Sequence, residues 1–119
     1  MEPFWTNGWA TLYHASAQEL PLPDKSVHIV ATSPPYYLQR AYKGVDERVI
    51  GEEATPEEYL QNLLACFREV RRVLHDTGIL FVNLGDKRDS SKLQKLAIPE
   101  RFGLAMQQDG WLWRDTIVW

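Results

Sequence analysis

Apolar positions along the chain fall into two kinds of pattern. One is the short continuous run. Ser26 to Ser33, "SVHIVATS", is β-branched and mostly apolar along its length, and Ile79 to Leu84, "ILFVNL", is similar. Such runs predict strands buried on both faces, as in a parallel sheet. Trp9 to His14, "WATLYH", predicts a shorter strand, and "WLWRDTIVW" at residues 111–119 alternates and predicts a last one. The other pattern is helical. Leu60, Leu63, Leu64, Phe67, Val70 and Leu74 recur at helical spacing. Thr55 suits the N-cap, Pro56 the first helical position, and Glu58 completes a capping box. Asp76-Thr77-Gly78 is expected to end that helix, with Gly78 in the left-handed C-terminal conformation. A second helix is expected from Ile98 to Gln108, closed by Gly110. Ala17 to Lys25, broken by Pro21 and Pro23, predicts a loop or a single turn, and residues 37–54 predict a long loop.

Strands that alternate with helices indicate an α/β fold with a mainly parallel sheet. At 119 residues the chain reads as one domain with a modest core, and 45% hydrophobic residues argue against disorder. No apolar run reaches the ~18 residues of a membrane span, and no signal peptide opens the chain, so a cytoplasmic location is expected. Cys66 is the single cysteine; it excludes an internal disulfide and reads as core filler in the first helix. His14, His28 and His75 are scattered, without metal-ligand spacing, and no metal is expected.

The net charge of −3 argues mildly against a nucleic-acid partner. Local charge changes that picture. Gly85 to Lys95, "GDKRDSSKLQK", sets Lys87, Arg88, Lys92 and Lys95 against Asp86 and Asp89. The segment reads either as a solvated loop or as one that faces phosphates.

The most informative stretch is "TSPPYY", Thr32 to Tyr37, directly after an apolar strand. Ligands of open parallel sheets bind beyond the carboxyl ends of the strands. Pro34 forces Ser33 into an extended conformation, and neither Pro34 nor Pro35 donates a backbone hydrogen bond. Ser33 offers a hydroxyl, Pro34 a carbonyl and Tyr36 a flat ring. A nucleobase with an exocyclic amino group fits those three features. Two other readings compete. Pro34-Pro35-Tyr36-Tyr37 matches P-P-x-Y, a ligand for WW domains, but such ligands lie in exposed disordered segments. A purely structural double-proline turn is the other.

"TSPPY" resembles the (S/D)-P-P-Y signature of amino-group DNA methyltransferases, which methylate N4 of cytosine or N6 of adenine. The likeness extends through "LYHASAQELPLPDKSVHIVATSPPYY", "IGEEATPEEYLQNLLACFREVRRVLHDTGILFVNLGDK" and "IPERFGLAMQQDGWLWRDTIVW". That order resembles the β-class enzymes, in which this motif precedes the cofactor motif. The resemblance implies S-adenosylmethionine as methyl donor, double-stranded DNA as partner, and a target base swung out of the duplex. It implies Ser33, Pro34, Pro35 and Tyr36 as the catalytic corner, and the serine form is more typical of the cytosine-N4 group. It places Asn83 to Asp86 near the site; a turn that needs Gly85 and Asp86 for its geometry explains those residues equally well. Ser16 and Thr32 are candidates on the cofactor side. Arg40, Lys43, Lys87, Arg88 and Arg114 are candidate DNA contacts, and Tyr37 and Tyr42 candidate wedge or lid residues.

One part of the family pattern is missing. The glycines, at 8, 44, 51, 78, 85, 103 and 110, are well separated, and no F-x-G-x-G occurs. The family's Gly-Asp after the first strand is Ala15-Ser16 here. The expectation is therefore the N-terminal half of a catalytic domain: a partial Rossmann-like sheet, without its cofactor-loop strands. An edge left open in that way calls for a second chain or a second copy to cover it. The alternative is an inactive remnant that serves as a DNA- or protein-binding module.

Overall fold

The computed structural model describes residues 1–39 and 49–119. The elements, in chain order, are β1 (Trp5–Thr6), β2 (Thr11–Leu12), β3 (Val27–Thr32), α1 (Pro56–Val73), β4 (Leu74–Val82) and α2 (Ile98–Gln108). The fold is α/β with a parallel pair of strands, as expected. The chain divides into two compact units, Met1–Ala31 with Ala65–Phe81 and Thr32–Leu64 with Val82–Trp119.

In the first unit, β1 and β2 form an antiparallel hairpin with Trp5 opposite Leu12. The strand expected over Trp9 to His14 shrinks to Thr11–Leu12 because its first residues belong to the turn. The Asn7 Oδ1 accepts the N–H groups of Trp9 and Ala10 at 2.9 and 2.7 Å. This is the Asx geometry that favours asparagine in turns.

β3 and β4 start side by side. The Lys25 N–H donates to the Arg72 carbonyl at 3.0 Å and the Ser26 N–H to that of Val73 at 2.8 Å. α1 ends at Val73 and β4 follows without a break, so Asp76 to Gly78 lie inside the strand. The expected left-handed cap is not what Gly78 supplies. Gly78 is absent from the positive-φ residues, and an added Cβ would sit 2.8 Å from Leu74 Cδ2 and 2.9 Å from the His75 carbonyl oxygen. Close approach, and not chain reversal, is its reason for being glycine.

The two strands are not buried on both faces. Ile29, Ile79 and Phe81 are 60%, 53% and 51% exposed. Among the described residues the sheet has only β3 and β4, so no further strand or layer covers these side chains.

The loop before β3 is held by one residue. The Arg72 guanidinium donates to the carbonyls of Leu20 and Leu22, to Asp24 and to both Glu69 oxygens, at 2.6–3.0 Å. Glu69 also accepts the Leu20 N–H at 2.9 Å. Pro21 and Pro23 bring carbonyls without N–H groups, and a five-donor side chain matches that surplus of acceptors. Cys66, Phe67, Val70 and Val73 bury the inner face of α1 here. Burial also pushes the Cys66 thiol up, which fits inert core filler.

In the second unit, α1 begins as its sequence dictates. The Glu58 N–H donates to Thr55 Oγ1 at 3.2 Å, and Pro56 opens the helix. Tyr59, Leu60, Leu63 and Leu64 are buried. α2 spans the predicted residues and buries Ile98, Phe102 and Met106. Each fully buried aliphatic or phenyl side chain contributes about 1.5–3 kcal/mol. Gly110, at φ 100°, closes α2.

Residues 111–119 form no strand, contrary to the alternating pattern. A strand requires a neighbour for its ladder, and none of the described residues supplies one. Trp113 instead lies over α2, where a Cβ on Gly103 would come within 2.6 Å of its ring.

Candidate active site

β3 ends where the proline corner begins. The Thr32 carbonyl accepts the Asn83 N–H at 2.9 Å, which brings the strand end at Asn83 next to the start of the corner. Ser33 is exposed, Pro34, Pro35 and Tyr36 are half-buried, and Tyr37 is buried.

Two supports hold the corner from beneath. The first is Tyr59, fully buried on α1, whose hydroxyl donates to the Pro35 carbonyl at 2.6 Å. Burial, followed by the Glu53 carboxylate, pushes the Tyr59 phenol well above its ordinary range, so it stays a donor. The Tyr37 ring lies 5.3 Å from the Tyr59 ring, and its own phenol is raised by burial and then by Glu53, Glu57 and Glu58. The second support is the segment from Gly51 to Glu53. The Gly51 carbonyl accepts the Leu38 N–H at 2.7 Å, and its N–H donates to Glu53 Oε1 at 2.7 Å. Asn62 fixes the other Glu53 oxygen at 2.9 Å. Gly51 has φ 117°, and a Cβ there would press on Tyr36 and Pro35 at 3.2–3.3 Å, so only glycine suits the position.

The Tyr36 ring rests on Gly85. A Cβ on that glycine would lie 2.5 Å from Tyr36 Cε2 and 2.8 Å from Cδ2. Gly85 is therefore tied to the site by contact and not by turn geometry. Asp86 has a different task. One carboxylate oxygen accepts the N–H groups of Lys87 at 2.8 Å and of Ile98 at 3.0 Å, and so caps α2 from a distance in sequence. The N-cap residue itself, Ala97, has no side chain able to do so.

Among the described residues none donates to the Pro34 carbonyl or bonds the Ser33 hydroxyl. The arrangement offers two acceptors and an aromatic ring on a backbone stiffened by two prolines and braced by Tyr59.

The remaining candidates separate. Lys87 and Arg88 line an open cleft of ≈ 280 Å³ together with Gln39, Asp86 and Lys95. Arg114 lies in the exposed terminal segment. The Ser16 hydroxyl accepts the Gln18 N–H at 3.2 Å in a loop of the first unit, and Thr32 contributes its carbonyl to Asn83. Arg40, Tyr42 and Lys43 lie outside the described residues. Sequence reasoning missed Tyr59, Gly51 and Glu53. Tyr59 was open to discovery, because it falls four residues before Leu63 on the apolar face of α1.

Residues 27–119 match the N6/N4 family model described as DNA methylase. The type II methyltransferase M.MwoI of Methanothermobacter wolfeii is 44% identical over 100 residues, 82% of this chain and 15% of its own length. M.Cfr9I of Citrobacter freundii is 35% identical over 147 aligned residues, 99% of this chain and 48% of its own length. The chain thus spans about half or less of these relatives. Among solved structures, the PvuII DNA methyltransferase (cytosine-N4-specific) superposes with a TM-score of 0.65 at 24% identity, over 83% of this chain and 33% of that one. The family match covers β3, the proline corner, both helices and the Asn83–Asp86 strand end, and by it the chain belongs to the N6/N4 DNA methylase family.

Proposed function

We propose that this chain forms the base-binding half of a site-specific DNA methyltransferase that acts on an exocyclic amino group, with cytosine N4 as the favoured target. The observation that carries the reading is the corner itself. Ser33 and the Pro34 carbonyl are acceptors without a partner among the described residues, adjacent in the chain to Tyr36, on a backbone that two prolines restrict. A flipped base would stack on Tyr36, and its amino protons would go to Ser33 Oγ and Pro34 O. Acceptors aimed at that nitrogen stabilise the positive charge that develops on it during alkylation.

The family implies S-adenosylmethionine as methyl donor. The described residues do not fit a complete donor site. Such sites use a glycine-rich turn from strand to helix N-terminus. Here both helix N-termini are occupied by protein groups, Thr55 at α1 and Asp86 at α2. Among the described residues the positive-φ glycines, Gly8, Gly51 and Gly110, open neither helix. Ser16, in place of the family's aspartate, is engaged with Gln18. No step of methyl delivery is assigned to this chain. The exposed Ile29, Ile79 and Phe81 are the surface that the rest of such a domain, or a second copy, would cover. Sedimentation as a soluble monomer with no tendency to associate would remove that last reading.

The test is Ser33→Ala in a chimera that joins this chain to the remaining half of the Cfr9I relative. Turnover should fall by about 100-fold or more, in line with removal of one transition-state acceptor, while DNA affinity holds. Equal turnover in mutant and parent would take Ser33 out of the mechanism.

A further inference from the structure

Between the corner and α2, the chain from Lys87 to Leu96 folds back on itself. The Leu96 N–H donates to the Lys87 carbonyl at 2.8 Å, the Asp89 N–H to Gln94 at 2.7 Å, and Arg88 pairs with Lys95 across an antiparallel bridge. This hairpin puts two cations directly opposite each other. Like charges in that position repel and weaken a ladder. Both acids of the Gly85–Lys95 segment are turned to other uses. Asp86 accepts the Lys87 and Ile98 N–H groups. Asp89 Oδ1 accepts from the Ser91 N–H, the Ser91 hydroxyl and the Lys92 N–H at 2.7–3.1 Å.

Lys87 and Arg88 are instead held by neutral carbonyls. Lys87 Nζ donates to the Leu38 carbonyl at 3.3 Å, and Arg88 Nη1 to the Leu93 carbonyl at 2.9 Å. Leu38 and Leu93 have φ 52° and 56°, a left-handed conformation that branched, bulky residues avoid. Strain of this sort persists where the surroundings impose it, and it clusters at ligand clamps. Here each strained leucine aims its carbonyl at one cation. Neutral acceptors orient Lys87 and Arg88 without cancelling their charge. Among the described residues no carboxylate lies within ion-pair distance of Lys87, Arg88, Lys92 or Lys95. Lys87, Arg88 and Lys95 line the cleft with Gln39 and Asp86; the Gln39 amide donates to the Asp86 carbonyl at 3.3 Å, and one Asp86 carboxylate oxygen accepts the Lys87 and Ile98 N–H groups.

We propose that this cleft is a preformed clamp for one phosphodiester of duplex DNA, held by Arg88 and Lys95 with Lys87 beside them. An anion between Arg88 and Lys95 converts their repulsion into two attractions. A phosphodiester is favoured over a carboxylate ligand because the cleft is open and presents several cations to one anion. The proposal rests on the DNA methyltransferase reading for its choice of anion, and it makes Lys95 a contact that charge counting alone does not single out.

The test is binding of the full 119-residue chain to an arbitrary-sequence duplex oligonucleotide, measured between about 50 and 200 mM salt. Arg88→Gln with Lys95→Gln should lower affinity roughly tenfold or more at the low-salt end and reduce the salt slope by about one, equally on unrelated sequences. Lys92→Gln removes charge from the same loop but not from the cleft, and should have a clearly smaller effect. Lys95→Gln alone should raise the melting temperature of the free chain, because repulsion is relieved, while it weakens DNA binding. Opposite signs of those two changes cannot come from damage to the fold. Equal losses for Lys92→Gln and for the cleft variants would overturn the clamp, and so would a wild-type chain with no duplex affinity at about 50 mM salt. The outcome is separable from the catalytic reading. Ser33-dependent methylation by the chimera without this contrast sinks the clamp alone, and the contrast without Ser33-dependent methylation sinks the catalytic reading alone.

Discussion

Arg72 and Arg88 are the same residue in opposite situations. Arg72, in the first unit, donates to Glu69, Asp24 and two backbone carbonyls, and its guanidinium is held charged more firmly than usual by Glu69 and then Asp24. It closes a loop whose prolines leave carbonyls without local donors. Arg88, in the second unit, donates to the carbonyl of a strained leucine and faces Lys95 across a hairpin. One positive charge is cancelled where it serves the fold, and the other is kept available. Net charge does not distinguish them; the identity of the acceptor does. The lesson extends to acids, since Asp86 borders the basic hairpin and Asp89 lies in it, yet both accept backbone N–H groups and pair with none of its cations among the described residues.

The contrast can be broken most forcefully where the second unit has no slack. Gly85→Ala would set a methyl group 2.5 Å from the Tyr36 ring, and only movement of that ring or of the strand end relieves it. Overpacking of this kind costs about 1–3 kcal/mol. In the chimera, methylation should fall at least as far as in Ser33→Ala, because the stacking ring is displaced. A variant with wild-type melting and turnover would show that Tyr36 has room elsewhere.

Next in size is the direct exchange of the two arginines. Arg72→Ala removes the guanidinium donor from the Leu20 and Leu22 carbonyls and leaves Glu69 with the Leu20 N–H. Its melting temperature should drop by several degrees, with duplex affinity unchanged in the surviving folded fraction. Arg88→Ala should leave the melting temperature nearly unmoved. If both variants melt alike, the division into structural and available charge is wrong.

Tyr59→Phe should have a smaller effect. It removes one hydroxyl, but the ring still packs against Tyr37. Loss of the 2.6 Å bond to the Pro35 carbonyl should cost about 1 kcal/mol in a denaturant titration. Turnover of the chimera should fall several-fold with KM nearly constant, as expected of a positioning residue. A fall in stability with turnover intact would confine Tyr59 to the fold.

How much of this was legible in the sequence depends on range. Local rules placed the N-cap at Thr55, both ends of α2, and the end of β3 at a double proline, since each is decided by residues a few positions apart. The corner was legible for the same reason: Ser33 to Tyr36 are contiguous, and prolines limit what their backbone can do. Features that failed depend on distant partners. Gly78 looked like a helix cap because the pattern cannot show that Leu74 and His75 crowd it. Residues 111–119 alternate like a strand, but alternation does not supply a neighbouring strand. The use of Asp86 at α2, of Tyr59 under Pro35, and of the Leu38 carbonyl under Lys87 each joins positions far apart in sequence. No periodicity encodes such pairs.

Acid titration probes the same contrast with the smallest effects. Glu69 lies below the ordinary carboxylate range, first because of its hydrogen bond to Arg72 and then because of the Leu20 N–H. A carboxyl with a depressed native pKa binds fewer protons folded than unfolded. Its stabilisation is present in full above the ordinary glutamate value of about 4.3 and is lost as pH falls through the lower native value. The melting temperature should therefore decline on the acid side, and Glu69→Gln should flatten that decline while lowering stability at neutral pH. Asp89 is also depressed, by the Ser91 hydroxyl and then by the Ser91 and Lys92 N–H groups. The sign is the same, but all its partners lie within the hairpin turn. Protonation of Asp89 should move the amide resonances of Ser91 and Lys92 and shift the global melting curve far less than protonation of Glu69 does, and Asp89→Asn should abolish the resonance shift. A melting curve that follows Asp89 as closely as Glu69 would mean that the hairpin is integral to the core, and the separation between a structural and an available set of charges would fail.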